Sequence, residues 1–339
     1  MYKIDKRKWW KQLDDNWKNV FNKAISIDSE AIYSDLEKIV NLQKLDCRLS
    51  YISHLESLRA LTNLQTLDCS INKISDLEPL RTLTNLQTLN CSGNKISDLE
   101  PLRALTNLQT LDCSWNKVNN LEPLHTLTNL QVLNCSRNQI SKLVPLHALT
   151  NLQVLNCSYN YRIGNLKPLR ALTKLHILNC NKNQIRDLEP LRALTNLQTL
   201  NCNKNQLHDL EPLRALTNLQ TLNCWGNKIS DLELEKFKQA AHHKNFISDS
   251  DNRKWWNQLN DRWKNIFNKT ISIDGEPTDS DLEKIVNLQT LDCGWSKIKS
   301  LEPLRALTNL QELYCWGNQI RELEINKFKK AVPSCGVYS

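Results

Sequence analysis

The chain has 339 residues, 24% of them charged, a formal net charge of +8 and a mean hydropathy of −0.51. These values are typical of a soluble folded protein and exclude a disordered or membrane-embedded chain. No apolar run approaches the roughly 20 residues that a membrane-spanning helix needs. The opening MYKIDKRKWWKQLDD lacks the apolar core and the cleavage site of a secretory signal.

The first predicted element is an amphipathic helix within residues 8–28, KWWKQLDDNWKNVFNKAISID. Its apolar residues recur at helical spacing, at Trp10, Leu13, Trp17, Val20, Phe21 and Ala24. We interpret this helix as a cap over the first unit of a repeat array, since the end units of such arrays need a polar outer lid. Contact with a membrane surface or nucleic acid is the alternative, which the interspersed aspartates disfavour.

A repeat follows the cap and is marked by the cysteines, whose spacing is 22 residues again and again, with one step of 23. The cysteines stand at 47, 69, 91, 113, 135, 157, 180, 202, 224, 293, 315 and 335. Zinc sites use ligand pairs two to four residues apart, and the sequence has no C-x-x-C pair. We therefore predict neither a metal site nor a cofactor.

The repeat unit has the pattern L-x-x-L-x-C-x-x-N-x-I-x-x-L-x-P-L. Alternation within residues 64–70, LQTLDCS, predicts a short strand with its Leu and Cys side chains inward. Asn72 is predicted to bond the turn that leaves the strand, and Pro79 favours an irregular or single-turn helical return. Stacking then places the cysteines in one buried file of inert thiols. Many free thiols favour a reducing, cytoplasmic location, with export by a signal-independent route left open.

The repeats resemble the internalin-type leucine-rich repeats over residues 42–232 and 288–323. The resemblance lies in the segments LTNLQTL and NKISDLEPL and in the 22-residue period. The cysteine position is also similar to that of bacterial cysteine-containing leucine-rich repeat proteins. The resemblance implies an α/β fold, a leucine-rich repeat solenoid shaped as a horseshoe. It further implies a parallel sheet on the concave face, a helical cap and a role in binding other proteins.

The cap sequence returns in residues 253–274, RKWWNQLNDRWKNIFNKTISID, and predicts a second, short module. In both modules the first repeat replaces the turn asparagine by serine, at Ser50 and Ser296. We predict two domains: 1–247, with nine repeats from Cys47 to Cys224, and 248–339, with two repeats. Each domain is predicted to have a helical cap and a C-terminal cap helix. A short ISI strand after each cap and a final strand at 336–338 are expected to add layers.

The position before the turn asparagine varies most between repeats and includes Trp, Tyr and Arg, the residues that dominate interface energetics. Neutral variation on an exposed edge is the alternative. Residues 132–206 contain ten Lys or Arg against two acids, and one irregular repeat, SYNYRIGNLKPL, also falls there. We predict a partner-binding patch on repeats five to eight, with flanking aromatic anchors in repeats four and nine. Its residues are Trp115, Arg137, Tyr159, Arg162, Lys182, Lys204 and Trp225.

These features predict a non-catalytic scaffold that binds an acidic protein partner through the concave face of repeats five to eight. Binding of nucleic acid or another polyanion by the same patch is the alternative, although no nucleic-acid-binding motif is present. An enzyme is disfavoured because the repeats offer no acid–base pair, activated nucleophile or phosphate-binding glycine loop.

Overall fold

The computed structural model describes residues 5–28, 30–240, 245–247, 249–333 and 335–339. They divide into two compact units, Met1–Thr221 with Asn227–Lys244, and Leu222–Gly226 with Asn245–Ser339. The predicted boundary residue, Ser248, lies outside the described residues, and the division into 1–247 and 248–339 stays a prediction. Every helix in the described ranges falls short of the length and apolarity needed to cross a bilayer.

Three helices precede the first repeat: α1 (Lys6–Lys11), α2 (Asp15–Ile25) and α3 (Tyr33–Val40). The predicted single cap helix is therefore two helices, because the Asp14 side chain accepts a hydrogen bond from Trp17 N at 2.9 Å and starts a new helix. Trp17 and Phe21 are fully buried and stack with ring centroids 5.3 Å apart. The indole of Trp17 also donates to the His54 carbonyl, so this pair of helices covers the first repeat.

The repeats supply short parallel strands. The strands of the nine long-array repeats are β1 (Lys44–Asp46), β2 (Thr66–Asp68), β3 (Thr88–Asn90), β4 (Thr110–Asp112), β5 (Val132–Asn134), β6 (Val154–Asn156), β7 (Ile177–Asn179), β8 (Thr199–Asn201) and β9 (Thr221–Asn223). They lie in chain order in one parallel sheet. A further strand is β10 (Asn245–Ile247). The pairing is in register, with Leu67 opposite Leu89. The predicted leucine-rich repeat solenoid with a parallel sheet is confirmed.

A short 3-10 helix returns the chain in each repeat, as the proline predicted. In most of them proline occupies one of the first two positions, where its missing N–H leaves no hydrogen bond unmade. The 3-10 helices span Glu56–Ala60, Glu78–Thr82, Glu100–Ala104, Glu122–Thr126, Val144–Ala148, Lys167–Ala171, Glu189–Ala193, Glu211–Ala215 and Glu302–Ala306. Helix α4 (Asp231–Ala240) follows the ninth repeat and buries Phe237.

The short module repeats this plan. Its helices are α5 (Asp249–Gln258), α6 (Asp261–Ile271), α7 (Asp279–Val286) and α8 (Glu322–Ala331), and its sheet is β11 (Thr290–Asp292), β12 (Glu312–Tyr314) and β13 (Gly336–Tyr338). Trp263 stacks on Phe267 with ring centroids 5.6 Å apart, much as Trp17 stacks on Phe21. The second helical cap and the final strand are thus confirmed.

The predicted ISI strand is wrong in both modules. Ser26 and Ser272 instead have left-handed backbone, each with φ 57°, and end helices α2 and α6. The N–H of Ile27 bonds back to the Asn22 carbonyl at 3.0 Å, which is the hydrogen bond of a helix C-cap. The chain must turn there, so these residues cannot join a sheet.

The cysteines form the predicted ladder. All twelve are buried free thiols. Burial raises the pKa of Cys157 and Cys293 to about 12, so their thiolate forms are scarce at neutral pH. They act as small apolar side chains between the strands.

A second ladder is made by the turn asparagines. The Asn116 amide donates to the carbonyls of Cys91, Cys113 and Ser114 at 3.0 to 3.2 Å, and its Oδ1 accepts from Ile96 N at 2.9 Å. Each such asparagine therefore closes its own turn and ties it to the preceding repeat. The first repeat has no preceding strand among the described residues, and there the Ser50 side chain makes a local bond from Oγ to the Arg48 carbonyl.

We expect Asn116→Ser to lower the free energy of unfolding by about 2 to 4 kcal/mol, because it leaves several buried backbone groups without partners. Urea unfolding followed by tryptophan fluorescence measures the loss. Ser50→Ala is the control and should change stability by less than about 1 kcal/mol, since only one exposed bond is removed. Equal losses in the two variants would contradict a role for the ladder between repeats.

Candidate functional site

The variable position before the turn asparagine has left-handed backbone in all eleven repeats, with φ between 47° and 66°. We call these residues the left-handed column: Leu49, Ile71, Gly93, Trp115, Arg137, Tyr159, Lys182, Lys204, Gly226, Trp295 and Gly317. A residue with a Cβ is disfavoured in this conformation by roughly 1–2 kcal/mol, so the backbone favours glycine. Eight of the eleven positions nevertheless carry a side chain.

Five consecutive column residues, Trp115, Arg137, Tyr159, Lys182 and Lys204, form what we call the cation–aromatic stack. The guanidinium carbon of Arg137 lies 3.9 Å from the ring centroid of Trp115 and 4.0 Å from that of Tyr159. Lys182 Nζ lies 4.5 Å from the Tyr159 ring. Cations at these distances are attracted to the electron-rich ring faces. Cationic and aromatic groups thus alternate from repeat four to repeat seven.

Burial shapes the electrostatics of this stack. It lowers the pKa of Arg137, whose guanidinium is held between two rings. The pKa of Lys204 is lowered to about 8, mainly by burial and also by the charge of the neighbouring Lys182 ammonium and a side-chain hydrogen bond with it. We call Lys182 and Lys204 the lysine pair. A bound carboxylate would offset the repulsion between them.

Carboxylates occupy the sheet face of repeats one, two and four, at Asp46, Asp68 and Asp112. By sheet face we mean the side of the sheet that carries the residues next to each buried strand leucine. Asp112 Oδ2 accepts from Asn134 Nδ2 at 2.9 Å, and burial raises the pKa of this carboxyl group. From repeat five to repeat eight the same position holds asparagine, and the segments 131–137, 153–159, 176–182 and 198–204 contain no acidic residue. The lysine pair therefore lies beside strands free of negative charge.

A further feature of the sheet face was not predicted. Val132, Val154 and Ile177 lie side by side on β5, β6 and β7 and are half-buried. We call them the aliphatic row. Their counterparts in the neighbouring strands are threonines, from Thr66 to Thr110 and at Thr199. The change from threonine is visible when the repeats are aligned, so attention to this position would have found the row.

Two predicted site residues, Arg162 and Trp225, are not members of the left-handed column. Arg162 is exposed in the irregular loop. Trp225 is half-buried one position before the column residue Gly226, and its N–H donates to Asn223 Oδ1 at 3.3 Å. It belongs to the compact unit that contains Leu222–Gly226, whereas the stack belongs to the other. Its role as a flanking anchor stays a prediction.

The irregular repeat interrupts the asparagine ladder. The extra residue gives Tyr161 a left-handed backbone with φ 59°, and its ring meets Tyr159 edge-on with centroids 6.1 Å apart. In repeat eight Asn205 Oδ1 accepts from Ile185 N of repeat seven at 3.0 Å. The corresponding Oδ1 of Asn183 is buried without a hydrogen-bond partner among the described residues.

Comparison with known proteins places this geometry in a family. The family model described as Leucine Rich repeats (2 copies) matches residues 62–104, 84–127, 106–146, 128–171, 150–193, 195–236 and 286–327. The chain belongs to the leucine-rich repeat family. No curated protein matches it.

Solved structures of internalins from Listeria monocytogenes are similar to this leucine-rich repeat protein. Internalin C2 is 30% identical with a TM-score of 0.51, over 69% of this chain and 93% of that one. The internalin InlF is 23% identical with a TM-score of 0.55, over 96% and 88%. The functional domain of InlJ, which includes a cysteine ladder, is 23% identical with a TM-score of 0.56, over 97% and 64%. The resemblance to internalin-type repeats is confirmed, and the fold is consistent with a protein-interaction scaffold.

We expect deletion of Arg162 to raise the free energy of unfolding by about 1 to 3 kcal/mol, because the regular N-x-I spacing would let Ile163 N reach Asn183 Oδ1. Urea unfolding measures the gain. The control is Arg162→Ala, which keeps the insertion and should leave stability within about 0.5 kcal/mol of the parent. A deletion that destabilises the protein would show that the insertion does not disturb the ladder.

Proposed function

We propose that this leucine-rich repeat protein is a non-catalytic scaffold that binds an acidic protein partner through the sheet face of repeats five to eight. The observation that supports this most is the cation–aromatic stack. Its five residues occupy consecutive positions where the backbone favours glycine, and stability of the turn alone gives no reason to keep them. Function at the surface gives such a reason.

The charge distribution supports an acidic partner. Residues 132–206 carry ten Lys or Arg and two acids, and the strand segments of repeats five to eight carry no acid. The lysine pair and Arg137 extend over repeats that are about 4.8 Å apart, which spreads positive charge along one edge of the sheet face. Such a patch accelerates and orients encounters with a negatively charged partner.

The alternative is a polyanion such as nucleic acid, which the same positive charge favours. Both faces of the Arg137 guanidinium are already covered by protein rings, so it cannot stack on a base. The aliphatic row also suits a protein surface better than a phosphate backbone. We therefore place protein binding first.

We expect Lys182→Glu combined with Lys204→Glu to weaken partner binding on the order of a hundredfold, because two attractive charges become repulsive. The melting temperature should change little, since both side chains are only partly buried. Partners captured from the source organism by the wild-type protein would be identified by mass spectrometry, purified and titrated against both proteins.

The matched control is Lys95→Glu with Lys117→Glu, which makes the same charge change at two exposed positions with the same 22-residue separation. It should weaken binding less than about threefold. Equal loss in both double variants would mean that net charge, not this surface, governs binding. Tight nucleic-acid binding with a steep loss of affinity at rising salt would favour the polyanion alternative.

A further inference from the structure

We propose that the partner segment carries acidic side chains flanking aliphatic ones, so that carboxylates meet the lysine pair while aliphatic side chains cover the aliphatic row. This rests on the proposed function and specifies the chemistry of the partner. It treats repeats five to eight as one composite surface with a charged edge and an apolar edge.

The apolar edge is continuous. Strands β5, β6 and β7 pair in register, which places Val132 opposite Val154 and Val154 opposite Ile177. Because neighbouring strands are about 4.8 Å apart, the row is an apolar strip about 10 Å long. Valine has nearly the shape of the threonine found in the sibling repeats, so the exchange from Thr mainly removes a hydroxyl from an outward-facing position. Core packing therefore does not explain the row, whereas contact with an apolar ligand does.

The charged edge is held in place before any ligand arrives. Tyr159 has the Arg137 guanidinium at 4.0 Å from its ring centroid and the Lys182 ammonium at 4.5 Å. Lys182 is thereby restrained beside Lys204. A restrained side chain loses less conformational freedom when a ligand binds, so the arrangement favours binding at this edge.

The aliphatic row, in repeats five to seven, and the lysine pair, in repeats seven and eight, overlap in repeat seven. In repeat seven Ile177 belongs to the apolar edge and Lys182 to the charged edge, with Asn179 between them. Asn179 and its neighbours Asn156 and Asn201 are at most 8% exposed, so the amide row between the edges offers little surface for polar contacts. A segment laid across the strands would contact the two edges together, which a uniformly charged polyanion cannot do.

Three synthetic peptides of equal length test this proposal: one of glutamate and leucine, one with serine in place of leucine, and one with lysine in place of glutamate. Fluorescence anisotropy with wild-type protein should show the Glu/Leu peptide binding roughly tenfold more tightly than the Glu/Ser peptide. The Lys/Leu peptide should not bind measurably, since its charge is repelled.

The decisive variant combines Val132→Thr, Val154→Thr and Ile177→Thr. Each change installs the residue that sibling repeats already use, so the fold is expected to persist, and circular dichroism verifies this. The Glu/Leu advantage should shrink to about threefold or less, because the apolar strip is gone. Lys182→Gln with Lys204→Gln should instead weaken both acidic peptides.

Proton uptake gives an independent readout. The charged group shown beside Lys204 is the Lys182 ammonium, and a bound carboxylate would raise the lowered pKa of Lys204. Calorimetry at pH 8 in buffers of different ionisation enthalpy should therefore reveal proton uptake on Glu/Leu binding, absent in Lys204→Gln. Affinity should fall as pH rises from 7 to 9.5, because Lys204 loses its charge over that range.

Equal affinity for the Glu/Leu and Glu/Ser peptides would overturn the proposal while leaving an acidic partner possible. Unchanged Glu/Leu binding by the triple threonine variant would overturn it too, as would failure of both acidic peptides to bind. The proposed function would fail separately, if captured protein partners bound the Lys182→Glu, Lys204→Glu variant as well as the wild type.

Discussion

In every repeat after the first of each module, one asparagine amide fixes the turn on which the rest of the array depends. Its donor group must reach the carbonyls of the cysteine and of the following residue in the same repeat, and the cysteine carbonyl of the repeat before. That reach requires the chain to bend sharply between strand and asparagine, and the residue at the bend takes left-handed backbone. The ladder therefore ties each repeat to the one before it and is compatible only with this bend, which Leu49 and Trp295 also adopt before a serine.

This constraint separates packing from recognition. Leucine, cysteine and asparagine side chains point into the array, whereas the bend residue points away from it. Ile71 lies within 3.4 Å of the place where a Cβ on Gly93 would stand, and the Trp295 ring lies within 2.4 Å of such a position at Gly317. Column side chains thus lean toward the next repeat. Where the next column residue is glycine, as after Ile71 and Trp295, the column side chain covers that glycine. Where the next column residue is Arg137 or Tyr159, the two side chains stack.

The regular part of the fold could be predicted from the sequence because it depends on local periodicity. The burial of each cysteine and each cap tryptophan can be predicted from its own place in the 22-residue or helical period. The break between α1 and α2 was also encoded, in the capping residue Asp14, but the continuous apolar face of the two helices concealed it. The ISI strands failed because β propensity at Ile25 and Ile27 is overridden by the helix C-cap at Ser26.

The candidate surface was only partly predictable, for a different reason. The sequence predicted that Arg137, Tyr159 and Lys182 lie on one surface. It did not predict that each cation stacks on the ring of the neighbouring repeat, because that depends on the direction of each side chain. Three glycines in the column were the signal for left-handed backbone, since glycine is the residue that this conformation favours. The roles of Arg162 and Trp225 rest on charge and aromaticity and stay predictions.

The irregular repeat shows what this surface requires. The insertion leaves the side-chain amide oxygen of Asn183, Oδ1, buried without a partner among the described residues. Such an unpaired group lowers the free energy of unfolding by about 1 to 3 kcal/mol. In exchange the insertion adds an edge-on Tyr161 contact to Tyr159, and such an aromatic pair contributes about 0.5 to 1.5 kcal/mol. These energies do not favour the insertion on stability grounds. Its position beside the stack, within repeats whose strand segments contain no acid, instead fits the proposed role of this surface in binding a partner.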